Sequence, residues 1–222
     1  MLSNFPLAVL ISGGLDSAIL LGHALRSHTA AQPIFVRFGL YWEDVERSYL
    51  DRYLQVLNSP RVKPLIVLDQ PVADVYDSHW SMTGQGVPDA AAPDAHVFLP
   101  GRNVLLLAKP LIWCHRNAVP AIALGSLQTN PFPDATPAFF RGMQDVVDHA
   151  MGTRVEVQLP FGGMKKSAVM RLARKWKLPL EHTFSCIKPE DGQHCGKCNK
   201  CAERQRAFAE AGMSDPTEYS RQ

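Results

Sequence analysis

Apolar residues along this chain fall into short runs separated by longer amphipathic stretches. Residues 7–11 form a continuous apolar run, residues 33–38 a second, and residues 62–68 a third in which Pro64 belongs at the start or edge of a strand. Between them, residues 43–57 repeat Val45, Tyr49, Tyr53 and Leu57 near helical spacing. Later, residues 104–114 read as a buried helix, with Pro110 marking a kink or a boundary, and residues 121–125 as a core strand. Residues 139–151 suit a helix and residues 155–159 a further strand. Residues 165–177 read as a cationic amphipathic helix that carries Val169, Leu172 and Trp176 inward. Alternation of strand and helix predicts an α/β fold: an open, mostly parallel sheet flanked by helices.

The first strand-to-helix junction reads Ser12-Gly13-Gly14-Leu15-Asp16-Ser17. Adjacent glycines let backbone N–H groups converge where side chains would block them, and the free N–H groups of a new helix add to that set. Such a loop cradles an oxyanion or phosphate; the simpler alternative is a tight turn with Asp16 and Ser17 capping the helix. It is not a Walker A loop, because no Gly-Lys-Ser/Thr follows. Residues 69–98 lose periodicity, and the turn-rich part from Gly84 to Pro93 reads as a surface loop positioned as a lid. His79, Trp80 and His96 in this region read as packing residues.

With 222 residues, 46% of them hydrophobic, the chain can bury one substantial core. Its formal charge of +2 gives no basic footprint for nucleic acid. The N-terminus has no secretory pattern and no apolar run approaches a membrane span, so a cytoplasmic location is expected. Of five cysteines, Cys114 stands alone and reads as a small core hydrophobe, whereas Cys186, Cys195, Cys198 and Cys201 cluster. Four thiolates at this spacing suit a closed tetrahedral Zn2+ site; two disulfides, a redox role or an iron–sulfur cluster are the other readings. His194 reads as a loop residue beside that site. The expected organisation is an α/β unit over residues 1–180 with its variable loop at 69–98, and a zinc-binding helical tail over 181–222 packed on the same domain.

The Ser12–Ser17 string resembles the pyrophosphate loop of the ATP pyrophosphatases. Together with Pro100-Gly101-Arg102-Asn103, Pro133-Asp134, Lys166 and the cysteine tail, it resembles the 7-cyano-7-deazaguanine synthase family across nearly the whole chain. That resemblance implies an adenine-nucleotide-binding fold, ATP and Mg2+ as cofactors, structural Zn2+, and a homodimer. It implies conversion of 7-carboxy-7-deazaguanine and ammonia to the nitrile through adenylated acid and amide. Ser12, Gly13, Gly14, Leu15, Asp16 and Ser17 would position the departing pyrophosphate, with Asp16 organising Mg2+. Arg102, Asn103 and Lys166 would contact the nucleotide, Asp16, Arg102 and Lys166 being the catalytic set.

Phe132, Pro133 and Asp134 would meet a small planar carboxylate substrate, and no direct nucleic-acid or membrane partner is expected. Two segments depart from the family pattern. The chain reads Phe38-Gly39-Leu40-Tyr41-Trp42-Glu43 where the family has Tyr-Gly-Gln and a His-containing segment, and Phe132-Pro133-Asp134-Ala135-Thr136 where it has Tyr-Pro-Asp-Cys-Arg. The alternatives are therefore a related amide- or nitrile-forming enzyme for another carboxylate, and a catalytically weakened nucleotide-binding interaction protein.

Overall fold

The computed structural model describes residues 3–220. Five strands, β1 (Leu7–Leu10), β2 (Ala31–Arg37), β3 (Ile66–Asp69), β4 (Ala121–Ala123) and β5 (Glu156–Gln158), pair in parallel in the order β3-β2-β1-β4-β5. Side chains of a strand alternate between faces, and β1 divides accordingly. Ala8 and Leu10 enter one core layer, while Leu7, Val9 and the following Ile11 enter the other. Burial on both faces explains why the inner strands β1, β2 and β4 read as continuous apolar runs.

Helices α1 (Leu15–Ser27) and α2 (Glu43–Leu57) follow β1 and β2. The short helices α3 (Ala73–Tyr76) and α4 (Trp80–Thr83) follow β3, and α5 (Arg102–Arg116) leads into β4. Beyond β4 come α6 (Pro137–Met151), then β5, α7 (Lys166–Trp176) and α8 (Asn199–Glu210). Leu107 and Leu111 of α5 and Phe140 of α6 fill one core layer; α1, Val169 and Met170 of α7, and Ala207 and Phe208 of α8 fill the other.

Three expectations need correction. The third strand starts at Ile66, four residues later than expected, because Pro64 has no N–H for the ladder; Val62 makes only a single bridge to Ala31. Helix α5 tolerates Pro110 and is amphipathic, with Val104 and Ile112 exposed. The aperiodic stretch holds α3, α4 and a 3-10 turn at Asp94–Val97, with the His79 imidazole accepting the Ser81 N–H as the cap of α4. That stretch is also fastened: Asn199 donates from its backbone to the Pro88 carbonyl (3.0 Å) and from Nδ2 to the Ala92 carbonyl (2.7 Å).

The tail does not fold apart from the sheet. Cys186, Ile187 and the other three clustered cysteines lie in one core layer and Phe208 and Ala211 in the other. Among the described residues no helix is long and apolar enough to cross a membrane.

Candidate active site

The chain leaves β1 toward β2 on one side while β4 lies on the other, so the C-terminal end of β1 is a topological switch point. In open α/β sheets ligands bind in the crevice at such a point. Here it opens into a cavity of about 360 Å³.

Its floor is the Ser12–Ser17 loop. Gly13 adopts φ +93°, and a Cβ there would come within 3.2 Å of both the Glu46 carbonyl and Leu50 Cβ. Glycine thus serves the turn and lets α2 approach, and Gly13 itself faces α2. The Ser12 N–H donates to Ser17 Oγ (3.2 Å), the Gly14 N–H donates to Ser12 Oγ (3.2 Å), and the Ser17 hydroxyl donates to the Gly14 carbonyl (3.1 Å). Both hydroxyls therefore brace the loop. Ala18 is the first residue of α1 whose N–H reaches an intrahelical acceptor, the Gly14 carbonyl. The N–H groups of Leu15, Asp16 and Ser17 are left without one. Leu15 buries its side chain in the core, so only its backbone belongs to the site.

Lys166 opens α7 and reaches Asp16 Oδ2 (2.7 Å) and Glu203 Oε1 (3.5 Å), and Lys200 Nζ reaches Glu203 Oε2 (2.7 Å). Burial disfavours the Lys166 charge, but Asp16 and Glu203 more than offset it and raise its pKa. Burial alone would push Glu203 up; Lys200 and Lys166 bring it down to about 2. The other Asp16 oxygen, Oδ1, is buried with no partner. A polar atom left this way fits a role as ligand to a hard cation. Lys200 and Glu203 were not foreseen from the sequence. Their i,i+3 spacing beside Cys198 and Cys201, in the tail read as purely structural, was the signal available.

The opposite wall is aromatic. Phe132 stacks on Phe98 with centroids 4.9 Å apart, and Trp42 on Trp80 at 5.8 Å. Phe98, also a cavity residue, carries no motif that singles it out; Trp42, another, sits in a segment that departs from the family pattern. Arg102 sits over the Phe38 ring at 5.6 Å, and its Nε is buried without a partner. Asn103 donates its N–H to Asp134 Oδ2 (3.2 Å) and its side-chain amide to the Asp134 carbonyl (2.9 Å), so these two residues hold one another and close the start of α5. Pro133 is exposed and does not line the cavity.

Glu43 is buried and accepts the N–H groups of Phe38 (2.7 Å) and Gly39 (2.6 Å), fixing the turn after β2. Burial pushes its carboxyl up against the pull of those N–H groups and Arg102. Thr136 is exposed and caps α6 by accepting the Phe139 N–H (3.1 Å).

Cys186, Cys195, Cys198 and Cys201 are buried, with ligand atoms all within 4.8 Å of one another. Sulfur separations of 3.5 Å (Cys186–Cys195), 3.8 Å (Cys186–Cys198) and 4.0 Å (Cys195–Cys201) bracket the spacing of about 3.8 Å that four thiolates take around a tetrahedral Zn2+. His194 is no competitor for the site. It is buried among Phe184, Tyr49 and Tyr219, and its Nε2 accepts the Ser185 N–H (3.1 Å). Arg204, buried on α8, donates to Thr183 Oγ1, Ser185 Oγ and the Leu180 carbonyl, while the Phe184 N–H donates to the Gly13 carbonyl (2.9 Å). A continuous path of bonds thus joins the cysteine cluster to the glycine loop. Cys114 is fully buried in the core and apart from the cluster.

A family model described as queuosine biosynthesis protein QueC matches residues 7–212. The chain is 30% identical over 219 residues to the 7-cyano-7-deazaguanine synthase of Methanosphaerula palustris, covering 95% of this chain and 97% of that one. To the synthase of the same name from Leptospira interrogans it is 26% identical over 226 residues, covering 96% and 90%. Among solved structures it resembles a 4-thiouridine synthetase in complex with RNA and bound ATP, with TM-score 0.52 and 14% identity over 94% of this chain and 50% of that one. It also resembles the U34-tRNA thiolase NcsA of Methanococcus maripaludis with its [4Fe–4S] cluster, with TM-score 0.50 and 12% identity over 95% and 69%. Those two likenesses concern the fold alone.

Proposed function

Since the chain belongs to the QueC family of queuosine biosynthesis proteins, we propose that it converts 7-carboxy-7-deazaguanine and ammonia to 7-cyano-7-deazaguanine, consuming ATP in two activations. The observation that carries this reading is the junction of two surfaces in one cavity. One is a glycine loop with Lys166 and the first turns of α1, α5, α7 and α8; the other is the Phe98–Phe132 face. Helix N-termini favour negative charge, and several aimed at one space suit a polyphosphate.

A carboxylate resists attack because oxide is a poor leaving group; adenylation replaces it with AMP. In this reading the backbone N–H groups of Leu15, Asp16 and Ser17 bind the departing pyrophosphate, and Lys166 and Arg102 offset charge as the bond between the α and β phosphates breaks. Asp16, through its unpartnered oxygen, would hold Mg2+, which supplies charge neutralisation at the phosphates. Phe132 and Phe98 orient the planar ring, and the apolar wall excludes water from the adenylate. Ammonia gives the amide; activation of the amide oxygen and loss of AMP give the nitrile. Cys186, Cys195, Cys198 and Cys201 would hold Zn2+ with no coordination position left open, a structural role. Free ammonia as nitrogen donor and a homodimer complete the reading.

A second reading is favoured by one observation. At the position of the family arginine stands Thr136, exposed and spent on capping α6, so the substrate end lacks that cation. A different planar carboxylate would suit such an end. Purified metal-loaded protein with ATP, Mg2+, ammonium and 7-carboxy-7-deazaguanine is expected to give AMP and nitrile together, read by nucleotide analysis and product mass. AMP only with another carboxylate selects the second reading; no carboxylate-dependent AMP overturns both.

A further inference from the structure

Five carboxylates line the cavity: Asp16, Glu43, Glu46, Asp134 and Glu203. Four are engaged. Asp16 and Glu203 pair with lysines, Glu43 takes two backbone N–H groups, and Asp134 takes the Asn103 N–H. Glu46, one turn beyond Glu43 on α2, has no cation within salt-bridge distance among the described residues. It lies beside the Ser12 hydroxyl, between the glycine loop and Arg102. This carboxylate, unpaired with any cation among the described residues, lies at the boundary between the phosphate-binding and aromatic walls, where in the synthase reading an activated acyl group would join its phosphate.

Resting on the synthase reading above, we infer that Glu46 is the base that takes the proton shed when ammonia attacks the adenylated carboxylate. The nitrogen lone pair forms the C–N bond at the acyl carbon, the bond from that carbon to the AMP oxygen breaks with its electron pair leaving on AMP, and one proton passes from nitrogen to a Glu46 oxygen. From there it returns to solvent before the next cycle. Ammonia needs such help, because its adduct is a strong base that holds its protons and free ammonia is the minor form near neutrality.

The surroundings prepare Glu46 for this. Burial pushes its carboxyl up to about 8, Arg102 on α5 pulls it down, Glu43 on its own helix pushes it up, and the Ser12 hydroxyl steadies the charged form. An acid–base group is most effective with a pKa near the working pH, and an ordinary carboxylate would be too weak to take a proton from ammonium.

Hydroxylamine separates this role from a structural one. It is a much weaker base than ammonia, and its adduct loses a proton to water unaided. The experiment measures amide or nitrile formation with ammonium and hydroxamate formation with hydroxylamine, on wild type and Glu46→Gln, with ATP–pyrophosphate exchange alongside. The expected result is a fall of about 100-fold in the ratio of the ammonia rate to the hydroxylamine rate. An unchanged ratio overturns the inference, whether both rates fall together or neither does.

Should Glu46→Gln not fold, wild type decides. At constant free ammonia, amide formation is expected to rise through one deprotonation near pH 8 while hydroxamate formation stays flat; parallel profiles overturn the inference. Failure of the underlying reading has a different signature, namely no carboxylate-dependent pyrophosphate exchange in wild type, and it overturns the inference as well.

Discussion

The two ends of the cavity are built on different principles. At the glycine-loop end the cations are matched to carboxylates: Lys166 of α7 meets Asp16 of α1 and Glu203 of α8, and Lys200 meets Glu203 within α8. At the aromatic end the polar groups are held by backbone or left open. Glu43 is tied to the turn after β2, Asp134 to Asn103, and Arg102 Nε has no partner. Paired charges on rigid helices hold one geometry and so suit a step common to many substrates. Open polar atoms among stacked rings leave room for one particular ligand to satisfy them. The family likeness is strong at the first end, and the two departing segments both lie at the second.

The comparison breaks most completely through the cysteine tail, because α8 carries Lys200 and Glu203 into the charged end. Cys198→Ser removes a sulfur from the cluster at the residue that opens α8. Loss of bound metal, read by elemental analysis, a large drop in Tm and abolished AMP formation are expected together. Full activity in metal-free protein would show that α8 is held by packing alone. Removing metal from wild type with a chelator is expected to reproduce the variant.

Next comes Lys166→Met. It leaves Asp16 without its cation, and a lost charge-stabilising donor costs about 10²–10³-fold in rate. Carboxylate-dependent AMP release in variant protein of unchanged circular dichroism and metal content measures this. A loss below about tenfold would assign Lys166 to stability and leave catalysis to Arg102.

How far the sequence reveals each end follows from the same contrast. The glycine loop, Lys166 and the four cysteines are local strings whose spacing dictates geometry, and the parallel order follows from strands buried on both faces. Phe98 and Glu46 lie in no string, and Trp42 only in a segment that departs from the family pattern. They meet in the cavity only because α2 and the stretch before α5 pack over the end of β1, and residues far apart in sequence leave no local signal of such a meeting. Asp134 and Asn103 show the converse: they sit in readable motifs, yet the structure finds them bonded to each other. Pro133 was carried into the expected site by its neighbours and stands outside it.

Phe132→Ala tests the aromatic end directly. Stacking of a ring on an aromatic side chain is worth about 1–3 kcal/mol. KM for the carboxylate is expected to rise about 10- to 100-fold, with a smaller change in KM for ATP. Equal changes in both would mean that nucleotide and carboxylate share the face, dissolving the distinction between the two ends.

A weaker effect sharpens it through pH. The folded chain holds the Glu46 proton up to about 8, against an ordinary 4.5 when unfolded. Between those values the unfolded chain binds fewer protons at this site, so stability falls as pH rises and the loss is complete above the folded value. Glu46→Gln carries no such penalty. Its denaturation midpoint is expected to gain on wild type steadily across that window, whereas curves that stay parallel would place the Glu46 carboxyl in open solvent.

The smallest effect concerns Thr136, where the family carries an arginine. Thr136→Ala removes the acceptor for the Phe139 N–H at the start of α6. A lost helix cap costs about 1 kcal/mol, so a modest fall in the denaturation midpoint is expected with no change in KM for the carboxylate. Thr136→Arg sacrifices the same cap while adding a cation near the aromatic end. If that variant lowers KM for 7-carboxy-7-deazaguanine despite its lost stability, the missing arginine is what distinguishes this substrate end from that of the family. If KM holds steady, the Phe98–Phe132 face and Glu46 define the substrate without it, and position 136 serves only as the cap of α6.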